Sequence, residues 1–199
     1  MRNRLPGLLV TAALAVVVSA CGSGEESEAG GDVPEGQVVA PADAPSGWEV
    51  AVYEGVSVAT PGGWEESTSQ DPEYDATMYN LQTEVNEFGS RGGVQVMTVD
   101  APQRSAEESV NATVTGYQAV VEMSEVETEE IEWPGAESAW FLGFVAEVPN
   151  AAGERAPHRV RHLVLDLADG SQVHATVTAL ADQFDELRMD EVLATVTVR

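Results

Sequence analysis

Apolar and polar residues first alternate over Trp48–Tyr53 and Gly55–Thr60, two short strand patterns, and Pro61, Gly62 and Gly63 then turn the chain before Trp64. The same two-residue period predicts strands over Thr77–Gln82 and Gly93–Val99, joined by a loop over Glu84–Gly92. At Ser105 the period changes. Ala106, Val110, Val114, Tyr117 and Val121 recur at steps of three and four, so they form one stripe of a helix running to about Glu122. Ser105 suits the N-cap, and Glu108 three residues on completes a capping box. Three longer strand patterns follow, Val126–Trp133, Glu137–Val148 and Pro157–Leu167. The second contains AWFLGFVA, apolar on both alternating faces, as a strand covered on both sides requires. Asp169-Gly170 marks a tight turn into Gln172–Ala179, and Asp182 is placed to cap a last helix through Phe184, Leu187, Val192 and Leu193, with extended residues at Thr195–Arg199. Strands clustered around two separated helices, with no strand–helix alternation, predict an α+β domain: a mainly antiparallel sheet with two principal helices packed on it.

Ahead of Gly47 the pattern is of another kind. Arg2 and Arg4 precede an apolar run, Leu8–Val18, shorter than the roughly 20 residues that cross a bilayer as a helix. The small residues Val18, Ser19 and Ala20 then lead to Cys21. This stretch resembles a bacterial lipoprotein signal with its lipobox, Val18 standing where Leu is favoured. The resemblance implies that residues 1–20 are a signal peptide, that diacylglycerol is transferred to the Cys21 sulfur, and that acyl chains such as palmitate hold the protein on the membrane. A thiolate suits that transfer because it is the best side-chain nucleophile near neutral pH. Ordinary secretion is the competing reading, since Val18 and Ala20 also satisfy the general signal peptidase, but it leaves an exposed free thiol. Residues 21–46, rich in Gly, Ser, Glu, Pro and Ala, predict an acidic tether about 25–30 Å long beyond the anchor. The globular domain is then 47–199.

Charge narrows the partners. The chain has 34 acidic and 9 basic residues, a formal charge of −25, and every basic residue other than histidine is Arg. Such a surface does not neutralise phosphates, which excludes nucleic acid, and it carries no basic patch for anionic headgroups. The single cysteine excludes an internal disulfide and a cysteine-cluster metal site.

A family resemblance covers the domain. YEGVSVATPGGWEE at 53–66, a hairpin-rich middle, LADGSQVHATVTA at 167–179 and a closing amphipathic helix resemble the PsbP-like α/β/α sandwich. More narrowly, they resemble actinobacterial LpqN/LpqT-type lipoproteins, in which a lipobox and acidic tether precede such a domain. The resemblance implies residence at the outer face of the cytoplasmic membrane, in the cell envelope. It supplies no active-site residue.

Candidate chemistry inside the domain begins with His158, His162 and His174. If the Asp169-Gly170 hairpin closes with Ala168 opposite Ser171, His162 faces Val177 and His174 faces Leu165 across the strands. The two rings then point to opposite sides of the sheet and cannot share a metal, whereas a three-residue loop would shift the parity. Glu125, Glu127 and Glu129 fall on one face of a predicted strand, best read as a solvated edge. His162 and Asp166 lie about 13 Å apart along a strand, too far for a dyad. No calcium loop, nucleophile elbow, zinc-protease signature or phosphate loop is present, and the sequon Asn111-Ala112-Thr113 sits mid-helix. Trp140 is expected in the core; Trp48, Trp64 and Trp133 flank turns and pack at sheet ends or line a groove. The expectation is a membrane-anchored, non-catalytic binding module for an envelope protein or lipid-like ligand, with Cys21 as its lipidation site and no catalytic, cofactor or metal residue assigned. The alternative is a hydrolase or transferase acting on envelope lipids or glycans.

Overall fold

A computed structural model describes residues 38–89, 91–150 and 152–199; the expected signal peptide, Cys21 and the tether up to residue 37 lie outside the described residues. The chain runs β1 (Glu49–Tyr53), β2 (Val56–Thr60), β3 (Glu65–Asp71), β4 (Ala76–Gln82), β5 (Gly93–Val99), α1 (Ala106–Gln118), β6 (Met123–Ile131), β7 (Ala136–Pro149), β8 (Arg155–Leu167), β9 (Gln172–Leu180), α2 (Met189–Ala194) and β10 (Thr197–Val198). Seven strands form one sheet in the order β3-β4-β5-β9-β8-β7-β6, and β1-β2-β10 form a second. All pairings are antiparallel, so the domain is α+β with a mainly antiparallel sheet and two helices. No helix among the described residues is long and apolar enough to cross a membrane.

Every strand pattern read from alternation is a strand. β3 carried no such pattern because EESTSQD has no apolar face: it is an edge strand, exposed along nearly all its length and paired only with β4. At the opposite edge, β6 is interrupted by a bulge between Ser124 and Glu127 with Glu125 at φ 54°, so Glu125 does not share the face of Glu127 and Glu129. β7 is interior and buried on both faces, with Phe141, Leu142 and Phe144 fully enclosed.

The α1 capping box forms in full. Ser105 Oγ accepts the Glu108 N–H at 3.3 Å, and a Glu108 carboxylate oxygen accepts the Ser105 N–H at 3.1 Å. The first helical N–H, from Ala106, is taken by Asp166 on β8 at 2.9 Å, which ties the helix start to the sheet. The last helix is shorter than expected. Residues 181–188 are turns, Asp182 caps no helix, and α2 begins only after Arg188, which sits at φ 56° and breaks helical continuity. The break lets Phe184 and Met189 both enter the core while the Arg188 guanidinium lies 4.9 Å over the Trp48 ring.

Alternate residues of the central strands feed two separate apolar clusters. Phe141, Leu163, Leu165, Val173 and Val177 pack with Phe184, Met189 and Leu193 from around α2 and with Val56 and Val58 of β2. On the other face Leu142, Phe144, Val160 and Val164 pack with Ala106 and Val110 of α1. Each fully enclosed Leu or Phe contributes about 2–3 kcal/mol by leaving water. Val38 and Val39, expected in the tether, instead pack with the first cluster, Val39 only 5% exposed, and the Ala42 N–H donates to the Ala194 carbonyl at 2.8 Å.

Candidate functional site: a neutral polar cavity beside α1

The β8–β9 hairpin decides what faces what. Its loop is three residues long, Ala168-Asp169-Gly170, with Leu167 N–H donating to the Ser171 carbonyl at 2.9 Å and Gly170 at φ 86°. Asp169 Oδ1 accepts both the N–H and the hydroxyl of Ser171, at 2.9 and 2.6 Å, and so fixes the turn. The register is therefore one residue away from the expected closure: His162 faces Thr176, and Val164 faces His174. The expectation that the two histidines point to opposite sides is overturned. Their rings lie on one face, 5.4 Å apart between centroids.

That face is the one α1 covers, but α1 covers only part of it. Beyond the helix, toward β9, β5 and β4, lies a cavity of about 480 Å³, within the size range of small-molecule sites. The floor is polar and uncharged: Thr176 and Thr178 from β9, Gln95 from β5, Asn80 and Gln82 from β4, together with the two histidines. Met78 and Met97 complete it, and Phe144 and Val160 bound it toward the helix. The helix wall is built from small groups, Ala112, Thr113 and Gly116, with Tyr117 and Val120 at its end. A Cβ placed on Gly116 would meet nothing within 4 Å. The charged lining residues, Asp71, Glu73 and Arg104, stand at the rim, where Arg104 pairs with Glu73 at 2.8 Å. Asp71 Oδ1 accepts the N–H groups of Glu73 and Tyr74 at 2.7 and 3.1 Å, shaping the turn that brings the Tyr74 ring to 5.3 Å from His174.

Beneath the floor runs a continuous hydrogen-bond chain. Gln172, fully buried on β9, donates from Nε2 to Asp166 Oδ1 at 2.7 Å and to the Arg104 carbonyl at 3.1 Å. Its amide orientation is thereby set, and its Oε1 accepts from Ser109 Oγ at 3.0 Å and from His174 Nε2 at 2.7 Å. Asp166 thus reaches His174 through Gln172, and not His162. His162 Nδ1 bonds Thr176 Oγ1 at 2.6 Å, while its Nε2 is buried without a hydrogen-bond partner. Burial pushes His162 down to about 3, with the neighbouring His174 adding to the effect, and burial pushes His174 down to about 4. Both rings are neutral at physiological pH.

The remaining candidates fall elsewhere. His158 is buried away from the cavity, with Nδ1 at 3.1 Å from the Ala156 carbonyl and its pKa lowered by burial. Trp133 is buried and donates its indole N–H to the Val196 carbonyl at 3.1 Å; Trp64 packs against the α2-side cluster, and Trp140, half-buried, against the α1-side cluster. None of the four tryptophans lines the cavity. Among the described residues no three His, Cys, Asp or Glu side chains converge as a metal centre of those donors requires. Gln172, Thr176, Gln95, Asn80 and the two methionines were not singled out from the sequence. The signal for Gln172 and Thr176 was in QVHATVTA, where polar residues occupy every second position of a strand that lies at the middle of the sheet.

Fold and site together define an α+β protein with a neutral, small-molecule-sized cavity between one helix and the sheet. No protein-family model matches the chain, and no curated protein sequence matches it.

Proposed function

We propose that this chain is a lipid-anchored extracytoplasmic lipoprotein of the LpqN/LpqT type, held at the outer face of the cytoplasmic membrane through Cys21, whose PsbP-like domain is a non-catalytic binding module. The cavity beside α1 is its ligand site, and the ligand is a lipid-like molecule with an uncharged hydrogen-bonding head. The observation that carries this reading is the cavity's lining: amide, hydroxyl and neutral imidazole groups on the floor, with charge confined to the rim. A buried site without an ionised partner disfavours a charged head, because an unpaired charge there keeps its desolvation penalty. The surface charge of −25 further disfavours an anion. The apolar part of the ligand lies along Phe144, Val160, Tyr117 and Val120.

Two experiments test it. Cys21→Ala should shift the protein from the membrane fraction to the soluble fraction and remove the mass of the acyl chains; unchanged partitioning contradicts the anchor. Organic extraction of the protein purified without detergent, followed by mass spectrometry, should return a neutral amphiphile; an empty extract from a folded protein contradicts the ligand.

One observation favours a second reading, a hydrolase or transferase. Thr176 Oγ1 lies 2.6 Å from His162 Nδ1 inside the cavity, the arrangement of a nucleophile and its base. A ring held near 3 is a poor base at neutral pH. Turnover of neutral esters that disappears in Thr176→Val would establish this reading, and its absence in the wild-type protein would remove it.

A further inference from the structure

His174 belongs to a row of soft donors that crosses three strands. Met78 on β4 is directly opposite Met97 on β5, and Met97 is directly opposite His174 on β9. All three line the cavity, as does His162 on the next strand, so two thioethers and two imidazoles share one face of the sheet. Directly opposed residues have Cβ atoms about 5 Å apart, and the three rotatable bonds of a methionine let its sulfur close that distance. Met97 is 5% exposed, His174 6% and His162 7%.

The hydrogen bonds leave each ring one nitrogen for a ligand. His174 gives its Nε2–H to Gln172 Oε1, whose role as acceptor is fixed by the two acceptors on its own amide nitrogen, so Nδ1 of the neutral ring carries the lone pair. In the tautomer that donates Nδ1–H to Thr176 Oγ1, His162 carries its lone pair on Nε2, which has no hydrogen-bond partner. An imidazole oriented through its far N–H by an oxygen acceptor is the arrangement metal-bound histidines use. The spacing also fits. At a metal–nitrogen distance of about 2.0 Å each ring centre lies about 3.2 Å from the ion, which puts two such centres about 5.2 Å apart for a tetrahedral ion and about 5.5 Å for a trigonal one. The observed separation is 5.4 Å.

We propose that His162, His174 and Met97 form a binding site for a soft monovalent metal ion, Cu(I), with Met78 on the next strand flanking it. The donor set selects the ion. Thioether sulfur favours Cu(I) over Zn²⁺, Mg²⁺ and Ca²⁺, and no carboxylate reaches the floor to neutralise a divalent charge. The chain's strongly negative field draws cations toward the cavity, and Asp71 and Glu73 stand at its rim. Tyr74, tilted against the His174 ring, covers the site from the rim side. The ion occupies the histidine–methionine corner of the floor, and its binding does not depend on the amphiphile proposed above.

The test is an anaerobic competition titration of the full chain carrying Cys21→Ser, which removes the single thiol, against a chromogenic Cu(I) chelator. One ion should bind per chain. Met97→Leu keeps side-chain volume and should weaken Cu(I) by about tenfold or more, as should His162→Gln, while His158→Gln should change nothing. X-ray absorption at the copper edge should show a sulfur shell that Met97→Leu loses. Failure to bind one Cu(I), equal affinity in Met97→Leu and His162→Gln, or Zn²⁺ bound as tightly as Cu(I) overturns the proposal. Circular dichroism on each variant separates loss of the site from loss of the fold. Extraction of an amphiphile from a chain that fails this titration would leave the binding-module reading standing.

Discussion

The two faces of β9 have opposite characters. Val173, Ala175, Val177 and Ala179 point to the α2 side, all of them fully buried in a closed apolar cluster. Between them Gln172, His174, Thr176 and Thr178 point to the α1 side, where the helix stops short and a cavity opens. A strand at the middle of a sheet gains most stability when both faces are apolar, since each buried polar group must find a partner or lose about 1–3 kcal/mol. The α2 face therefore holds the fold, and the polar side of β9 is what the proposed ligand site would account for.

Substitutions on the two faces should separate these roles. Phe141→Ala empties a fully buried position on the α2 face and should cost about 3–5 kcal/mol in urea unfolding; a loss under 1 kcal/mol would mean that face is not the main core. Acid should act through the other face. His162 and His174 are held near 3 and 4 in the folded chain, below their ordinary 6.5, so the unfolded chain takes up protons first as the pH falls. Their contribution is whole above about pH 6.5 and is lost progressively below it, by about 2 kcal/mol for each ring between pH 7 and 5. Replacing both with Gln should flatten that part of the stability profile, and an unchanged slope would show that the rings are not buried as described. Gln172→Leu strands Asp166, the Arg104 carbonyl and Nε2 of His174, and should cost about 2–3 kcal/mol although it adds apolar surface; a neutral effect in thermal melts would dissolve the network beneath the floor. The smallest effect has the opposite sign. Gly116→Ala should raise stability by up to about 1 kcal/mol, because glycine is a poor helix former and a Cβ there meets no neighbour. A decrease would mean that the helix wall is already filled.

The apolar half of this contrast was readable from the sequence. Alternation placed eight strands, and the three- and four-residue steps from Ala106 placed α1 with its cap. What escaped had physical reasons. β3 lacks an apolar face because it is an edge wet on both sides. The end of the chain carries helix-like spacing from Phe184 to Leu193, yet Arg188 in a left-handed conformation cuts the pattern in two. The cavity was missed through a single residue of loop. With Ala168, Asp169 and Gly170 all in the turn, every side chain of β9 shifts parity against β8, and His162 and His174 move from opposite faces to neighbouring positions. Asp169-Gly170 suits both closures, so pattern alone did not choose between them; the two Ser171 bonds to Asp169 did.

The central claim is that the α1 side of the sheet is left open to receive a neutral ligand, and Gly116→Trp tests it most directly. The indole would project from the helix wall into space that now holds no neighbour within 4 Å of a Cβ. Protein purified without detergent in wild-type and variant form, matched in melting temperature, would be extracted and its small molecules measured by mass spectrometry. A neutral amphiphile present in the wild type and absent from the folded variant is the predicted result; the same molecule recovered equally from both would contradict the account.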